Sequence, residues 1–281
     1  MPTSSSRVGH IVGGKNKSTG ILRELERRYF MKREKTLSIR KMAIVGVLGA
    51  VSIVLGLTPL GFIPVGPTRA TIMHIPVIIG AIMEGPIVGA IIGLIFGLFS
   101  IFQAITNPTP VSIVFYNPLV SVLPRILIGI TSYYVYVAVK KMGNKNTVVI
   151  LNLIWIGILA YLTYGVYLNI VNSASILMTL MNVLLIIIVI SIGYFTTRRL
   201  NDKSLDIMIA TIVGTLTNTV GVLSMIYFLH AESFVAGLGL DISTARRVIF
   251  GLALTNGIPE TIIAIIIVTS VVSGLKLKES K

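Results

Sequence analysis

The feature that most constrains the fold of this chain is a series of long apolar segments, separated by short stretches that are basic or rich in proline and glycine. Several segments exceed the roughly 20 residues that an α-helix needs to cross the hydrocarbon core of a bilayer. Of the 281 residues, 54% are hydrophobic and only 12% are charged, and the mean hydropathy is +0.91. No ordinary soluble core needs that much apolar surface. We therefore predict an all-α, polytopic helical bundle in the membrane, folded as one domain.

The apolar segments divide the chain into a bundle and two tails. Residues 1–40 are expected to form a basic cytoplasmic tail that is partly disordered, 41–275 the transmembrane bundle, and 276–281 a second cytoplasmic tail. The sequence leaves open whether the chain starts at Met1 or at Met31. About eight spans are predicted, at roughly 41–57, 71–83, 87–105, 117–139, 148–170, 176–194, 205–229 and 246–273.

The placement of charge indicates a membrane protein rather than one that binds nucleic acid. The formal net charge is +14, but the basic residues lie at the ends of apolar segments, as the positive-inside rule expects. Eight spans and a cytoplasmic N-terminus place three basic clusters on the cytoplasmic side, which predicts the cell membrane with both termini inside: Lys140/Lys141/Lys145, Arg198/Arg199/Lys203 and Lys276/Lys278/Lys281. Three arginines lie on the other side, where either anion binding or snorkelling explains them: Arg69, Arg246 and Arg247.

The stretch from Asn117 to Gly129 carries an arginine and two prolines inside an apolar segment. Arg125 keeps its charge wherever it is placed. A charge within the membrane costs at least a few kcal/mol unless water, a partner or a ligand meets it. Proline also frees backbone carbonyls, which the protein itself or a cavity must satisfy. Arg125 is therefore either a structural arginine or a ligand contact.

The chemistry of an enzyme is missing from the sequence. There is no cysteine, no P-loop and no pair of acids close enough within the membrane to act as general acid and base. The histidines are scattered, so no metal site is predicted. The polar residues near helix breakers instead favour recognition of a small polar solute: His74, Asn107, Asn117, Asn218 and Asn256, with Arg125 and Glu260. Packing offers an alternative for several of them, since His74 can be a core histidine, Asn218 and Asn256 can bridge helices, and Glu260 can pair with Arg125.

Six strings, spread in order along the chain, carry a resemblance to a known family. They are Ile63–Pro67 (IPVGP), His74–Ala81 (HIPVIIGA), Gly85–Ala90 (GPIVGA), Asn117–Gly129 (NPLVSVLPRILIG), Val213–Thr219 (VGTLTNT) and Thr255–Glu260 (TNGIPE). With these strings the chain resembles the substrate-binding S component of an energy-coupling factor (ECF) vitamin transporter, most closely the pantothenate-specific type. The resemblance covers about residues 37–275 apart from one insert.

The resemblance implies a vitamin-binding bundle that has no transport power of its own. It implies that the chain binds a vitamin near the outer face and works with an EcfT-type membrane scaffold and two ATPase subunits. ATP is used by those partners, and no cofactor is expected in this chain. The first helix of the family usually presents Ala-x-x-x-Ala to the scaffold. Here Val47 follows Ala43 four residues on, while small-residue spacing is kept by the other two expected docking residues, Gly46 and Ala50.

The chain differs from the family in its number of spans. Family members have six, so about residues 144–200 are expected to be a helical hairpin inserted between the fourth and fifth. Two extra spans leave the orientation of the following helices unchanged. The insert is therefore compatible with a six-helix core.

Pantothenate, an anion with an amide and two hydroxyls, calls for one cation and several hydrogen-bonding groups. Arg125 is expected to bind its carboxylate, with Arg69 as second candidate. The polar contacts are assigned to Asn117, Asn218 and Asn256, and less directly to His74. Riboflavin, folate and cobalamin remain alternative vitamins. A self-contained secondary transporter and a membrane assembly protein remain alternative functions, although no repeat between the two halves supports the former.

Overall fold

The computed structural model describes residues 38–65, 68–171, 176–199 and 202–279. From Ile44 onward the described residues belong to one compact unit. In the unit before it the described residues begin the first helix, where Ser38 Oγ accepts a hydrogen bond from the Lys41 N–H at 3.3 Å. Most of the predicted N-terminal tail lies outside the described residues. The helices are α1 (Ile39–Leu57), α2 (Ile75–Glu84), α3 (Pro86–Thr106), α4 (Pro118–Ser121), α5 (Leu123–Met142), α6 (Asn144–Val171), α7 (Ile176–Arg199), α8 (Asp202–Gly237) and α9 (Ala245–Glu279).

The predicted polytopic helical fold is confirmed. Among the described residues six helical stretches are long and apolar enough to cross a membrane: Ile39–Leu57, Pro86–Thr106, Pro118–Met142, Asn146–Val171, Ser204–Gly237 and Ile242–Leu275. The second predicted span differs, because α2 has only ten residues. A helix of that length extends about 15 Å, half the thickness of the hydrocarbon core. The predicted span at 176–194 falls in α7, whose apolar part within the described residues is Thr179–Ser191.

Helix α2 is short because breakers fix both of its ends. Pro76 occupies its first turn, and Gly85 ends it with a φ of 103°, a left-handed conformation that glycine adopts without strain. Pro86 then begins α3. All residues from Ile75 to Ile82 are buried, and α2 packs against α3, α5 and α9. An apolar helix buried on all sides belongs to a core, so α2 is an internal helix.

The breaker-rich loop after α1 contains an antiparallel hairpin that the sequence pattern did not predict. Strands β1 (Phe62–Val65) and β2 (Thr68–Thr71) pair with Phe62 opposite Thr71 and Pro64 opposite Arg69. Both strands contact α9, and β2 does so more extensively. Regular backbone pairing at the edge of an apolar bundle satisfies polar backbone groups that an irregular loop would leave open.

The glycines spaced by four in α3 form a closely packed helix face, as predicted. A Cβ atom added at Gly93 would collide with the backbone carbonyl of Arg125, and one at Gly97 would lie 2.7 Å from the Cα atom of Val122. Gly89 likewise meets Gly129, with 2.9 Å between a Cβ atom at Gly89 and the Gly129 Cα atom. Because only glycine allows this approach, the stripe fixes α5, and with it Arg125, against α3.

The predicted hairpin, α6 and α7, packs mainly on itself. Helix α6 also contacts α8, and less extensively α5. The contact is an apolar cluster in which hairpin residues such as Leu151, Trp155 and Val189 meet core residues such as Leu205 and Ile265. This attachment rests on apolar side chains.

Candidate functional site

Four polar side chains that the sequence singled out are buried in the helical core. His74 is 0% exposed, Glu260 3%, Asn218 5% and Arg125 7%. They come from α2, α9, α8 and α5 and, together with Thr71, are called the polar cluster below. Electrostatic interactions connect Arg125 with both His74 and Glu260. Polar groups concentrated in this way within an apolar bundle are costly unless they have partners, which makes the cluster the candidate site.

A proline places Arg125 and supplies its first partner. In a continuous helix the carbonyl of Val120 would accept a hydrogen bond from the N–H of residue 124, but that residue is Pro124. The Arg125 Nη1 donates to this freed oxygen at 2.7 Å. The guanidinium also lies 5.3 Å from the ring centroid of the buried Phe96, a cation–π distance. Its Nε has no hydrogen-bond partner among the described residues.

Glu260 connects distant parts of the chain through both carboxylate oxygens. Its Oε1 accepts from the backbone N–H of Thr71 at 2.7 Å, and its Oε2 accepts from the Thr219 hydroxyl at 2.6 Å. A direct ion pair with Arg125, one alternative from the sequence, is not formed between these two described side chains. The two charges therefore stabilise each other over a longer distance.

His74 is only partly satisfied as a core histidine. Its Nε2 is 3.1 Å from the Oγ1 of Thr215, and the backbone of Thr71 also interacts with the ring. Its Nδ1 makes no hydrogen bond of ordinary geometry with the described groups. Thr215 and Thr219 lie one helical turn apart on α8, so His74 and Glu260 contact the same face of that helix. Asn218 lies between these contacts along the sequence. It is also buried, and its Oδ1 is unpartnered within the described structure.

Unpartnered buried atoms concentrate in the polar cluster. Among the described residues they are found at Thr71 Oγ1, His74 Nδ1, Arg125 Nε and Asn218 Oδ1, with Ser132 Oγ, Trp155 Nε1 and Thr269 Oγ1 elsewhere. Buried polar atoms in folded proteins nearly always have a partner, so each exception needs an explanation. The set offers a cationic donor, hydroxyl and amide oxygens, and an imidazole nitrogen. A small anion that also carries hydroxyl and amide groups matches these groups chemically.

The structure places the remaining residues assigned from the sequence as follows. Asn117 caps α4 by accepting from the Leu119 N–H at 2.9 Å, and its Nδ2 lies 3.1 Å from His230 Nε2. Asn256 is half-buried one turn before Glu260 in α9 and has an interaction of its own. Arg69 lies in β2, and its side chain falls outside the described part. The assigned docking residues Ala43, Gly46 and Ala50 of α1 are all exposed.

Sequence reasoning missed the threonines that complete the cluster. Thr71, Thr215 and Thr219 hold His74 and Glu260, and Phe96 covers the guanidinium. The spacing of four between Thr215 and Thr219 on an apolar helix was an available signal. Phe96 gave none, because an aromatic residue in an apolar span is most often ordinary packing. His230, at which α8 departs from helical geometry, was set aside as scattered.

An open cleft with a volume of about 390 Å³ lies elsewhere in the fold. It is lined by aromatic, aliphatic and polar residues where α8 meets the start of α9: Tyr227, Phe228, Ala231, Ile242, Ser243, Ala245 and Arg246. Arg246 and Arg247 are exposed. Their exposure fits snorkelling, one of the two explanations that the sequence offered for these arginines.

Comparisons with known proteins identify the family to which the chain belongs. Residues 40–178 match the family described as "ECF transporter, substrate-specific component". The chain is 32% identical over 152 residues to the pantothenic acid transporter PanT of Lactococcus lactis subsp. cremoris, covering 45% of this chain and 76% of that protein. It is 39% identical over 93 residues to the pantothenate transporter PanT of Leuconostoc mesenteroides subsp. mesenteroides, covering 33% of this chain and 44% of that protein. With a polytopic helical fold and this degree of similarity, the chain belongs to the family of substrate-specific S components of ECF transporters.

Proposed function

We propose that this S component captures pantothenate at the outer face of the membrane and delivers it with the help of an ATP-driven ECF module. The observation that carries the proposal is the buried Arg125, whose Nε lacks a partner among the described residues while acceptors and donors on Thr71, His74 and Asn218 are also free. Pantothenate brings a carboxylate for the guanidinium and hydroxyl and amide groups for the others. Relatives named as pantothenate transporters support the same substrate.

In this proposal Arg125 is the carboxylate clamp. The Nη1 bond to Val120 and the Phe96 ring hold the guanidinium in place before ligand arrives, so little side-chain entropy is lost on binding. The glycines of α3 allow α5 to pack in direct backbone contact, which defines the position of Arg125 against α3. Asn218 and His74 supply hydrogen bonds to the polar body of the ligand. Asn117, Asn256 and Arg69 remain further proposed contacts of the ligand.

The first experiment measures binding of pantothenate to the purified chain by calorimetry, with riboflavin, folate and cobalamin as comparators. It includes the neutral analogue of pantothenate in which a hydroxymethyl group replaces the carboxylate. A hydrogen bond to a charged group contributes about 1.5–3 kcal/mol, so the wild-type chain should prefer pantothenate over the analogue by about 10- to 100-fold. Arg125→Gln should abolish that preference, because it removes the charge and keeps an amide donor for the Val120 carbonyl.

Arg246→Gln is the matched control, since it removes an exposed arginine outside the cluster and should leave the preference unchanged. An Arg125→Gln chain that still prefers the carboxylate would contradict the clamp. Tight binding of a comparator vitamin without binding of pantothenate would contradict the substrate and leave the S-component assignment intact.

The partners in the proposal are an EcfT-type scaffold, two ATPase subunits and the lipid bilayer. The exposed face of α1, including Ala43, Gly46 and Ala50, is the proposed scaffold-docking face, since small residues allow another helix to approach closely. Uptake into liposomes should require the complete module and ATP. Uptake by the chain alone would instead favour a secondary transporter.

The proposed orientation has both termini in the cytoplasm, because the basic clusters collect on that side. In this orientation the short α2, with the residues that lead into it, returns the chain across the membrane between α1 and α3. The chain has no cysteine, so single cysteines introduced at the exposed Met142 and Ser243 report orientation directly. A membrane-impermeant maleimide added to whole cells should label only the second. Labelling of position 142 alone would reverse the topology.

A further inference from the structure

The base of the β-hairpin is tied to two helices by one carboxylate. Thr71 is the last residue of β2, and its N–H donates to Glu260 Oε1 at 2.7 Å. The other oxygen of Glu260 accepts from Thr219 of α8 at 2.6 Å. The β-hairpin, α8 and α9 therefore meet at the buried side chain of Glu260. The bond between Thr71 and Glu260 joins residues that are 189 positions apart in sequence.

This contact lies next to the proposed ligand contacts in the chain. Thr71 is three residues before His74, which directly precedes α2 and contacts Thr215. Thr219 directly follows Asn218, whose Oδ1 is unpartnered within the described structure. Any movement of the hairpin base therefore moves the backbone that leads into His74. The two bonds to Glu260 connect that backbone to Thr219, the residue that follows Asn218 on α8.

We infer that Glu260 is a positioning residue: its carboxylate anchors the hairpin base to α8, and thereby slows the escape of ligand from the polar cluster. The inference rests on the proposed function for the ligand, while the anchor itself is a property of the protein alone. Both carboxylate oxygens already serve the anchor, and the Arg125 guanidinium uses the Val120 carbonyl instead. The role of Glu260 is therefore assigned to its hydrogen bonds rather than to a direct ion pair.

Glu260→Gln separates the hydrogen bonds from the charge. Its amide oxygen can still accept from the Thr71 N–H, and its amide nitrogen can donate to Thr219 Oγ1. The Thr219 hydroxyl can then direct its proton to the carbonyl of Thr215, which already lies 3.3 Å away. Glu260→Ala removes both bonds and the charge. Thr219→Val keeps the charge and the Thr71 bond but removes the second.

The test combines two measurements on the full-length chain. Hydrogen exchange without ligand follows a peptide that spans residues 62–73, and a chase experiment gives the dissociation rate of radiolabelled pantothenate. Glu260→Ala should speed exchange of this peptide and raise the dissociation rate by about tenfold or more, because a lost buried bond to a charged group is worth at least one decade. Glu260→Gln should restore both to near the wild-type values, and Thr219→Val should fall between.

Thr261→Val is the matched control. Thr261 is buried beside Glu260, but its hydroxyl bonds only the Gly257 carbonyl within α9, at 2.6 Å. This variant should leave the exchange of residues 62–73 and the dissociation rate unchanged. Equal effects of Glu260→Gln and Glu260→Ala would overturn the inference in favour of a charge effect on Arg125. Wild-type exchange in Thr219→Val and Glu260→Ala would overturn it as well. If the wild-type chain does not bind pantothenate, the substrate assignment fails, and the exchange measurement still decides the anchor.

Discussion

The helical core and the α6–α7 hairpin are both apolar, but they are built in different ways. In the core α3 and α5 meet through glycines that bring backbones into contact, and the interior holds a buried arginine, glutamate, histidine and asparagine. The hairpin meets the core through apolar side chains. Its Gly157 has nothing within 4 Å of where a Cβ atom would stand.

This difference indicates how precisely each region holds its side chains in place. A bilayer gives helices little hydrophobic reason to associate, so association depends on close packing and on polar contacts. The core has both kinds of contact, and they hold Arg125 and Glu260 in defined places. The hairpin has mainly side-chain packing against α5, α8 and α9. We therefore expect the core to respond sharply to single substitutions and the hairpin to tolerate them.

The largest contrast is expected between two Gly→Ala substitutions. Gly93→Ala places a methyl group against the Arg125 carbonyl, a backbone atom that cannot rotate away. Overpacking of this kind costs about 1–3 kcal/mol, and here it also displaces the guanidinium. Gly157→Ala meets open space and gains helix propensity. Thermal unfolding in detergent should show a lower melting temperature for Gly93→Ala and no decrease for Gly157→Ala. Equal melting temperatures would mean that α3 and α5 are less rigidly packed than the glycine contacts indicate.

The glycine stripe also shows what the sequence could predict. Spacing by four in an apolar segment indicates a packed face whatever the partner is, and the prolines around Arg125 indicate a freed carbonyl. Both are local patterns, and both are found in the structure. The lengths and order of most spans follow from local composition in the same way.

The missing parts depend on contacts between distant residues. The bond between Thr71 and Glu260 joins two residues that no local pattern relates, and the β-hairpin forms within a stretch whose prolines and glycines suggest only a loop. Thr215 becomes part of the site only because the position of the short α2 brings His74 within hydrogen-bonding distance of it. The helical hydrogen bonds and the periodicity of each segment contain no information on the distance between segments. The sequence therefore predicted some residues of the polar cluster but not the contacts between them.

A smaller contrast is expected between two unpartnered polar atoms. Asn218 Oδ1 in the core and Trp155 Nε1 in the hairpin cluster are both buried without a partner in the described structure. If the first is reserved for a ligand, Asn218→Leu should weaken pantothenate binding by about tenfold. Trp155→Phe removes the indole N–H and should leave the affinity within about twofold, since that group then serves only packing. Calorimetry on both variants decides this, with melting temperatures as the check on folding. A comparable loss in Trp155→Phe would connect the hairpin to the site.

The smallest effect is expected from removing the hairpin altogether. Helices α5 and α8 are antiparallel, because Pro124 meets Gly221, Thr131 bonds Thr217 at 3.0 Å, and Ser132 meets Gly214. Continued along both helices, this pairing brings the end of α5 beside the start of α8. A short glycine–serine linker in place of residues 144–201 can therefore join them without strain.

The chain that lacks the α6–α7 hairpin should bind pantothenate with an affinity within about threefold of that of the full chain. Every residue of the polar cluster, and each described bond that holds it, lies outside this hairpin. Its melting temperature should fall, since core residues such as Leu205 and Ile265 lose their apolar cover. The full chain in the same detergent is the reference. If the shortened chain folds but binds pantothenate more than tenfold more weakly, the contrast between core and hairpin is wrong. The α6–α7 hairpin would then shape the site through the helices it contacts.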